Sequence, residues 1–190
     1  MDASRPRAVL EAAEKVSAIL QEFHLDSVVI GAIALAAHHY IRYTEDVDLG
    51  INTDLHTLRK VSEALGNHQE FQVALSEPDA SDPLSGVIDV RGSFGMVQVV
   101  NFGQTFPAVI NDAWRESTFT IHPESNLRLA PLPHLIALKL YAGGLKSLAD
   151  IAELLKHNPD ADLDKIRAVC NAYHLKGLEE IISEVRSDRE

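Results

Sequence analysis

The chain has almost no cysteine and no long apolar run near its start. Its single cysteine, Cys170, cannot form an internal disulfide and lies in a segment with amphipathic helical spacing, so we expect a reduced compartment and a packing role. The apolar stretch at 28–37 has about half the residues that a membrane helix needs, and no charged-then-apolar leader opens the chain. We therefore predict a soluble, cytoplasmic protein without a membrane partner.

Positive charge is also scarce. The chain has 17 Lys and Arg against 28 Asp and Glu, which gives a formal net charge of -11. Binding to nucleic acid without regard to sequence requires many basic residues that neutralise phosphates. This composition therefore excludes a broad nucleic-acid-binding surface but leaves open a specific contact with one RNA end. With 46% apolar residues, the chain can bury the core of one moderately large domain or two small ones.

Several familiar site patterns are missing. The glycine spacing of a P-loop or of a dinucleotide fingerprint is absent, and no Ser-His-Asp or Cys-His order stands out. His38 and His39 are adjacent in a predicted helix and cannot both face the same side, so we expect no metal site between them.

Apolar spacing predicts a mixed α/β architecture. Helices are predicted at 6–23, 32–40, 55–65, 107–113, 133–142, 146–157, 163–173 and 178–185. Strands are predicted at 27–30, 46–51, 71–75, 86–91, 96–102, 117–121 and 127–130, with a polar loop at 78–85. The strands at 86–91 and 96–102 flank the segment GSFG, which favours a hairpin and hence a sheet of mixed direction. We expect an α/β (α+β) domain at 1–130, with a mixed sheet flanked by helices, followed by a C-terminal helical bundle at 131–190 that packs on it.

Two acids in the second predicted strand form the candidate site. Asp46 and Asp48 are two residues apart, so their side chains project from the same face while Val47 and Leu49 face the other way. Mg²⁺ takes one or two protein carboxylates and completes its shell with water and substrate phosphates, so this pair suits a metal-nucleotide complex. An isolated pair of this kind is more often two solvated acids on an exposed strand.

The residues before the two acids strengthen the prediction. Gly31 and Ala32 lie between a strand and a helix, where the backbone can approach phosphate oxygens closely and donate N–H groups. Arg42 and Thr44 precede the acids in the order Arg-x-Thr-x-Asp-x-Asp, which offers a guanidinium to phosphate and a nearby hydroxyl.

Together these segments, VVIGA at 28–32 and RYTEDVDL at 42–49, resemble the nucleotidyltransferase superfamily. The closest similarity is to the branch related to the abortive-infection (AbiEii-like) toxins and other small bacterial nucleotidyltransferases. The run LPHLIALKLYAG at 132–143, followed by ADI at 149–151, is also similar to that branch.

The resemblance implies a nucleotidyltransferase-like sheet and a Mg²⁺- or Mn²⁺-dependent transfer of a nucleoside monophosphate from an NTP to a hydroxyl. The acceptor would be RNA, protein or a small molecule, and the function would be related to toxin-antitoxin systems. Asp46 and Asp48 would bind metal, and Gly31 and Ala32 would contact the triphosphate. Ala32 stands where family members usually have Ser or Gly, which removes a hydroxyl but keeps the backbone donor.

The family also supplies a third carboxylate from a later strand. Gln98 aligns with that position, and a neutral amide cannot act as a base or bind a hard cation as well. Asp89, on the partner strand of the predicted hairpin, is the candidate substitute and third catalytic acid, or else a surface acid paired with Arg91 or solvent. The alternative function is therefore a degenerate, non-catalytic binding or regulatory protein.

Two charged residues in the C-terminal helices complete the candidates. Lys139 lies in a stretch dominated by apolar residues, so its ammonium group must reach solvent or a polar cleft. The family resemblance favours the cleft, where the ammonium group would contact a nucleotide phosphate. Asp150 lies four residues after Lys146, which predicts a surface ion pair between them, with a functional contact as the alternative.

Overall fold

The computed structural model describes residues 4–79, 84–103 and 106–187, which form eight helices and six strands. The helices are α1 Ser4–Glu22, α2 Gly31–Ala37, α3 Leu55–Gly66, α4 Pro107–Glu116, α5 Leu132–Ala142, α6 Gly144–His157, α7 Leu163–Ala172 and α8 Leu178–Ser187. The strands are β1 Ser27–Ile30, β2 Asp46–Ile51, β3 Gln72–Ser76, β4 Val87–Gly92, β5 Gly95–Asn101 and β6 Arg128–Leu129.

The strands form one mixed sheet in the order β3-β4-β5-β2-β1-β6. Strand β2 is parallel to β5, and β1 is parallel to β6, whereas the other neighbours are antiparallel. The predicted hairpin is confirmed: β4 and β5 pair from Val87 and Val100 down to Gly92 and Gly95 at the turn. Gly95 has φ of 116°, a conformation that side chains other than glycine rarely adopt.

Each face of the sheet is covered by its own hydrophobic core. Val29, Val47 and Leu49 pack with helices α1 and α3 on one face. Val28 and Ile30 pack with α2 and with the helices from α4 onward on the other face. The alternation of side chains along β1 and β2 produces this separation, and it leaves the two acids of β2 on the second face.

The C-terminal helices share the second core with the sheet. Residues of β1, α2 and α4 belong to the same buried cluster as residues of α5 to α8. Cys170 is buried in this cluster, and burial raises the pKa of its thiol to about 11, so the packing role is confirmed. The division into two domains at residue 130 stays a prediction. In the described part of the chain, every helix is too short or too polar to cross a membrane.

Several elements differ from their predicted bounds, most of all two short strands and helix α2. The predicted strands at 117–121 and 127–130 are wrong in extent: within the described residues they reduce to β6 and an isolated bridge between Thr120 and Arg128. Helix α2 ends before Tyr40 because His39 adopts φ of 65° and the Tyr40 N–H donates to the Leu35 carbonyl at 3.0 Å. Part of the predicted loop at 78–85 lies outside the described residues.

Asn101, at the end of β5, connects three segments of the fold. Its side chain is fully buried, and its Oδ1 accepts from the backbone N–H groups of Thr53 and Gly103, both at 3.0 Å. Its Nδ2 donates to the carbonyls of Thr53 and Ser85, also at 3.0 Å. All four hydrogen-bonding positions of the amide are therefore used.

We predict that Asn101→Ala destabilises the protein by about 3 kcal/mol or more, because it leaves several buried backbone groups without partners. Asn67→Ala is the matched control, since Asn67 is exposed at the end of α3 and should change the free energy of unfolding by less than about 0.5 kcal/mol. Urea denaturation followed by circular dichroism measures both. Equal stability of the two variants would contradict this role of Asn101.

Candidate functional site

Asp46 and Asp48 line a cleft at the end of the sheet. The cleft has a volume of about 780 Å³ and lies between the start of β2, the turn from β1 into α2, and the beginning of α6. Its lining residues come from these segments and from β5 and α5: Gly31, Ala32, Arg42, Tyr43, Thr44, Glu45, Asp46, Asp48, Gln98, Lys139, Lys146 and Ser147. Both acids are partly buried, so the two carboxylates are neither solvated side chains nor part of the core.

The turn at Gly31 sets the position of Asp48. Asp48 pairs with Ile30 across β1 and β2, so it lies next to the residue that begins α2. Gly31 has φ of 67°, and a Cβ at this position would overlap the Asp48 carboxylate. Glycine is therefore required both for the backbone conformation and for the close approach of the acid.

Thr44 supports the other acid through the backbone. Its Oγ1 accepts from the Asp46 N–H at 3.1 Å and lies 3.2 Å from the Asp46 carbonyl. This local arrangement is typical of a threonine that orders the start of a strand. Thr44 lines the cleft, and its hydroxyl bonds with the Asp46 backbone.

The charges around Asp48 are mixed. Burial, followed by the negative charge of Asp46, raises the pKa of Asp48 above its ordinary value, whereas Lys139, Arg42 and Lys146 lower it. Two acids that repel each other beside three cations form a site in which a divalent cation would relieve the repulsion.

Asp150 contacts Arg42 and Lys139, so the predicted surface pair with Lys146 is wrong. Lys139 Nζ donates to Asp150 Oδ2 at 2.6 Å, and Arg42 Nη1 lies 3.3 Å from both carboxylate oxygens. The Asp150 side chain is only 3% exposed. The sequence did contain a signal: Asp150 falls in the buried stripe of α6 with Ile151, Leu154 and Leu155.

Gln98 and Asp89 form a row with Asp48 across three strands. Gln98 pairs with Asp48 in register on β5, and Asp89 pairs with Gln98 on β4. Gln98 Nε2 donates to Asp89 Oδ1 at 2.9 Å, and Arg91 donates to Asp89 Oδ2 at 2.9 Å. Asp89 is two strand spacings, roughly 9.5 Å at Cα, from Asp48.

The structure therefore brings together most of the predicted site residues. Gly31, Ala32, Arg42, Thr44, Asp46, Asp48 and Lys139 all line the cleft, whereas the described lining does not include Asp89. Lys146 and Ser147 also line the cleft, and the sequence did not predict this because no local pattern shows that the first turn of α6 lies near β2.

The two acids suit Mg²⁺, which takes few protein ligands, better than they suit a metal ion that is coordinated by many side chains. The described residues contain no group of three or more His, Cys, Asp or Glu able to hold a metal ion. Asp46 and Asp48 are two hard oxygen donors that open onto a cleft large enough for water and phosphate oxygens.

Exposed apolar side chains lie on two of the segments that line the cleft. Among the described residues, the large hydrophobic side chains recorded as exposed are those of Ile41, Tyr43, Phe119, Leu145 and Leu148. All except Phe119 lie close in sequence to cleft-lining cations, either in the segment around Arg42 or in the first turn of α6 around Lys146. We refer to Ile41, Tyr43, Leu145 and Leu148 as the apolar rim.

Comparisons with solved structures identify the fold. One match is ANT(2'')-Ia in complex with adenylyl-2''-tobramycin, with 15% identity, a TM-score of 0.52, and coverage of 87% of this chain and 96% of that one. Another is an antigenic nucleotidyltransferase-like protein from Paracoccidioides brasiliensis, with 16% identity, a TM-score of 0.52, and coverage of 95% and 93%. No protein-family model and no curated protein matches the chain. The predicted nucleotidyltransferase-like mixed sheet flanked by helices is confirmed as the fold.

We predict that Gly31→Ala lowers the free energy of unfolding by about 2 kcal/mol or more, because it adds backbone strain and overlaps the Asp48 carboxylate. Gly66→Ala is the matched control: a Cβ at Gly66, at the end of α3, meets no atom within 4 Å and should be neutral or stabilising by up to about 1 kcal/mol. Chemical denaturation measures both. A neutral Gly31→Ala would show that Asp48 does not depend on this turn.

Proposed function

We propose that the protein is a nucleotidyltransferase that binds an NTP with Mg²⁺ or Mn²⁺ in the cleft and transfers a nucleoside monophosphate to a hydroxyl acceptor. The observation that supports this most strongly is the projection of Asp46 and Asp48 into a cleft beside the Gly31 turn. The shared fold supports it further, since one similar structure holds an adenylylated antibiotic.

In this proposal Asp46 and Asp48 hold the metal. When bound, the cation supplies charge neutralisation to the phosphate oxygens. The backbone N–H groups of Gly31 and Ala32 donate to the triphosphate, and Thr44 keeps Asp46 in place by bonding with its backbone.

Positioning and electrostatics account for the proposed catalysis. Arg42 and Lys139 contribute positive charge to the cleft wall, although both also contact Asp150. The acceptor hydroxyl attacks the α-phosphorus in line with the leaving pyrophosphate, and the cleft holds the two reactants in that alignment.

The acceptor is the least constrained part of the proposal. The net charge of -11 disfavours extended contact with RNA, and the apolar rim favours an acceptor that presents an apolar surface, either on a protein or in a small molecule. The AbiEii-like branch, a toxin-antitoxin role and a bacterial, cytoplasmic setting rest on the sequence resemblance and belong to this proposal.

A second candidate function is supported by Gln98. Its amide lines the cleft next to Asp48, where the resemblance implies an acid, and its Nε2 donates to Asp89. The two carboxylate oxygens of Asp89 accept hydrogen bonds from Arg91 and Gln98. As the proposed third acid, Asp89 would therefore act on the cleft only through Gln98. A chain with an amide instead of a carboxylate at position 98, beside Asp48, would bind nucleotide and act as a regulatory protein.

We predict that the wild-type protein transfers radioactive label from at least one α-³²P-labelled NTP with Mg²⁺ to a component of total RNA, cell protein or a small-molecule extract. Asp48→Asn should lower the transfer about 100-fold or more, because it removes a metal-binding charge. Asp160→Asn makes the same chemical change at an exposed acid in the loop before α7 and should leave the transfer unchanged.

The same assay separates the two candidate functions. If wild type gives no labelled product while a positive-control transferase does, the enzyme proposal is contradicted. Label transfer gained by Gln98→Asp but absent in wild type would identify the missing carboxylate as the obstacle and favour the regulatory function.

A further inference from the structure

Three of the described residues that line the cleft are cations, Arg42, Lys139 and Lys146, and the first two are already paired. Arg42 and Lys139 both contact Asp150, and the three side chains come from the segment before β2, from α5 and from α6. This ion triad joins residues 108 positions apart in the chain. It therefore fixes one wall of the cleft as well as contributing charge.

Burial makes the triad difficult to separate. The exposed fractions are 3% for the Asp150 side chain, 15% for Lys139 and 29% for Arg42. Removing the cations from Asp150 would leave a buried carboxylate without a partner, which is strongly unfavourable. A nucleotide that recruited both Arg42 and Lys139 away from Asp150 would have to overcome that penalty.

Lys146 is in a different situation. It lies in the first turn of α6, lines the same cleft and is exposed. Among the described residues, no carboxylate forms an ion pair with Lys146, whereas Arg42 and Lys139 share the carboxylate of Asp150. Its long, flexible side chain carries a point charge that can follow phosphate oxygens as they move.

We propose that Lys146 is the residue whose ammonium group contacts the polyphosphate of the bound nucleotide, while Asp150 retains Arg42 and Lys139 as a fixed cleft wall. This inference rests on the proposed function and assigns one of its binding contacts. It also explains how a protein with a net charge of -11 holds a polyanion: a local unpaired cation acts together with the metal at the two acids.

The opposite assignment has Arg42 and Lys139 leaving Asp150 to bind phosphate, with Lys146 merely solvated. In that case removal of the Lys146 charge would have little effect on affinity. The two assignments therefore differ in a quantity that can be measured on the folded protein.

Isothermal titration calorimetry at fixed Mg²⁺ and fixed ionic strength tests the proposal, with ATP, GTP, CTP, UTP and inorganic tripolyphosphate as separate probes. We expect Lys146→Ala to weaken binding of the preferred nucleotide and of tripolyphosphate about 10-fold or more, because a charge-assisted contact is lost. Lys146→Arg should stay within about threefold of wild type, since it retains the charge.

Lys60→Ala is the control, because Lys60 is an exposed lysine of α3 that does not line the cleft, and it should bind like wild type. Thermal unfolding should be the same for Lys146→Ala and wild type, since Lys146 is exposed. Unchanged affinity in Lys146→Ala would overturn the proposal. A Lys146→Ala variant that binds nucleotides more weakly but tripolyphosphate with unchanged affinity would also overturn it. The same holds if the wild-type protein binds nucleotides but not tripolyphosphate. If wild type binds none of the five probes, the proposed function itself fails.

Discussion

The contact between the Asp48 carboxylate and the backbone of Gly31 is the constraint on which the rest of the candidate site depends. Only glycine combines a φ of 67° with the space that this carboxylate occupies. The contact places an acid of β2 against the turn that begins α2, and the antiparallel pairing of β1 and β2 maintains it. The pairing of β1 with β2 therefore places the metal-binding and phosphate-binding groups of the proposed function next to each other.

A second constraint holds the opposite wall of the cleft. Asp150 lies in the buried stripe of α6, where an unpaired carboxylate would be unstable, so Arg42 and Lys139 both turn toward it. This arrangement connects the segment before β2 with the C-terminal helices. The cleft thus has acids on one side and, on another, an ion triad of two cations and one carboxylate, and the exposed Lys146 also lines it.

The sequence predicted those parts of the fold that depend on local patterns. Strands β1 and β2 follow from apolar periodicity, and the hairpin of β4 and β5 follows from the glycines at its turn, because near neighbours determine these features. The face on which Asp46 and Asp48 project was equally predictable, since side chains alternate along any strand.

Features that depend on distant residues could not be predicted in the same way. Asp150 binds a residue 108 positions away, and the Asn101 side chain bonds with segments 48 and 16 positions away. The register of β5 against β4 and against β2 determines that Gln98 stands between Asp48 and Asp89, and the sequence alone does not give the distance across those strands. The long-range contacts therefore correct the roles of single residues while the predicted fold class holds.

In the proposed function, Asp46 and Asp48 together bind the divalent cation of a metal-nucleotide complex. Crystals grown with Mn²⁺ and a non-hydrolysable NTP analogue, measured at the manganese absorption edge, test it most directly. We expect an anomalous peak in contact with carboxylate oxygens of both Asp46 and Asp48, beside the phosphates of the analogue. A peak away from both acids, or a nucleotide bound elsewhere on the protein, would contradict it.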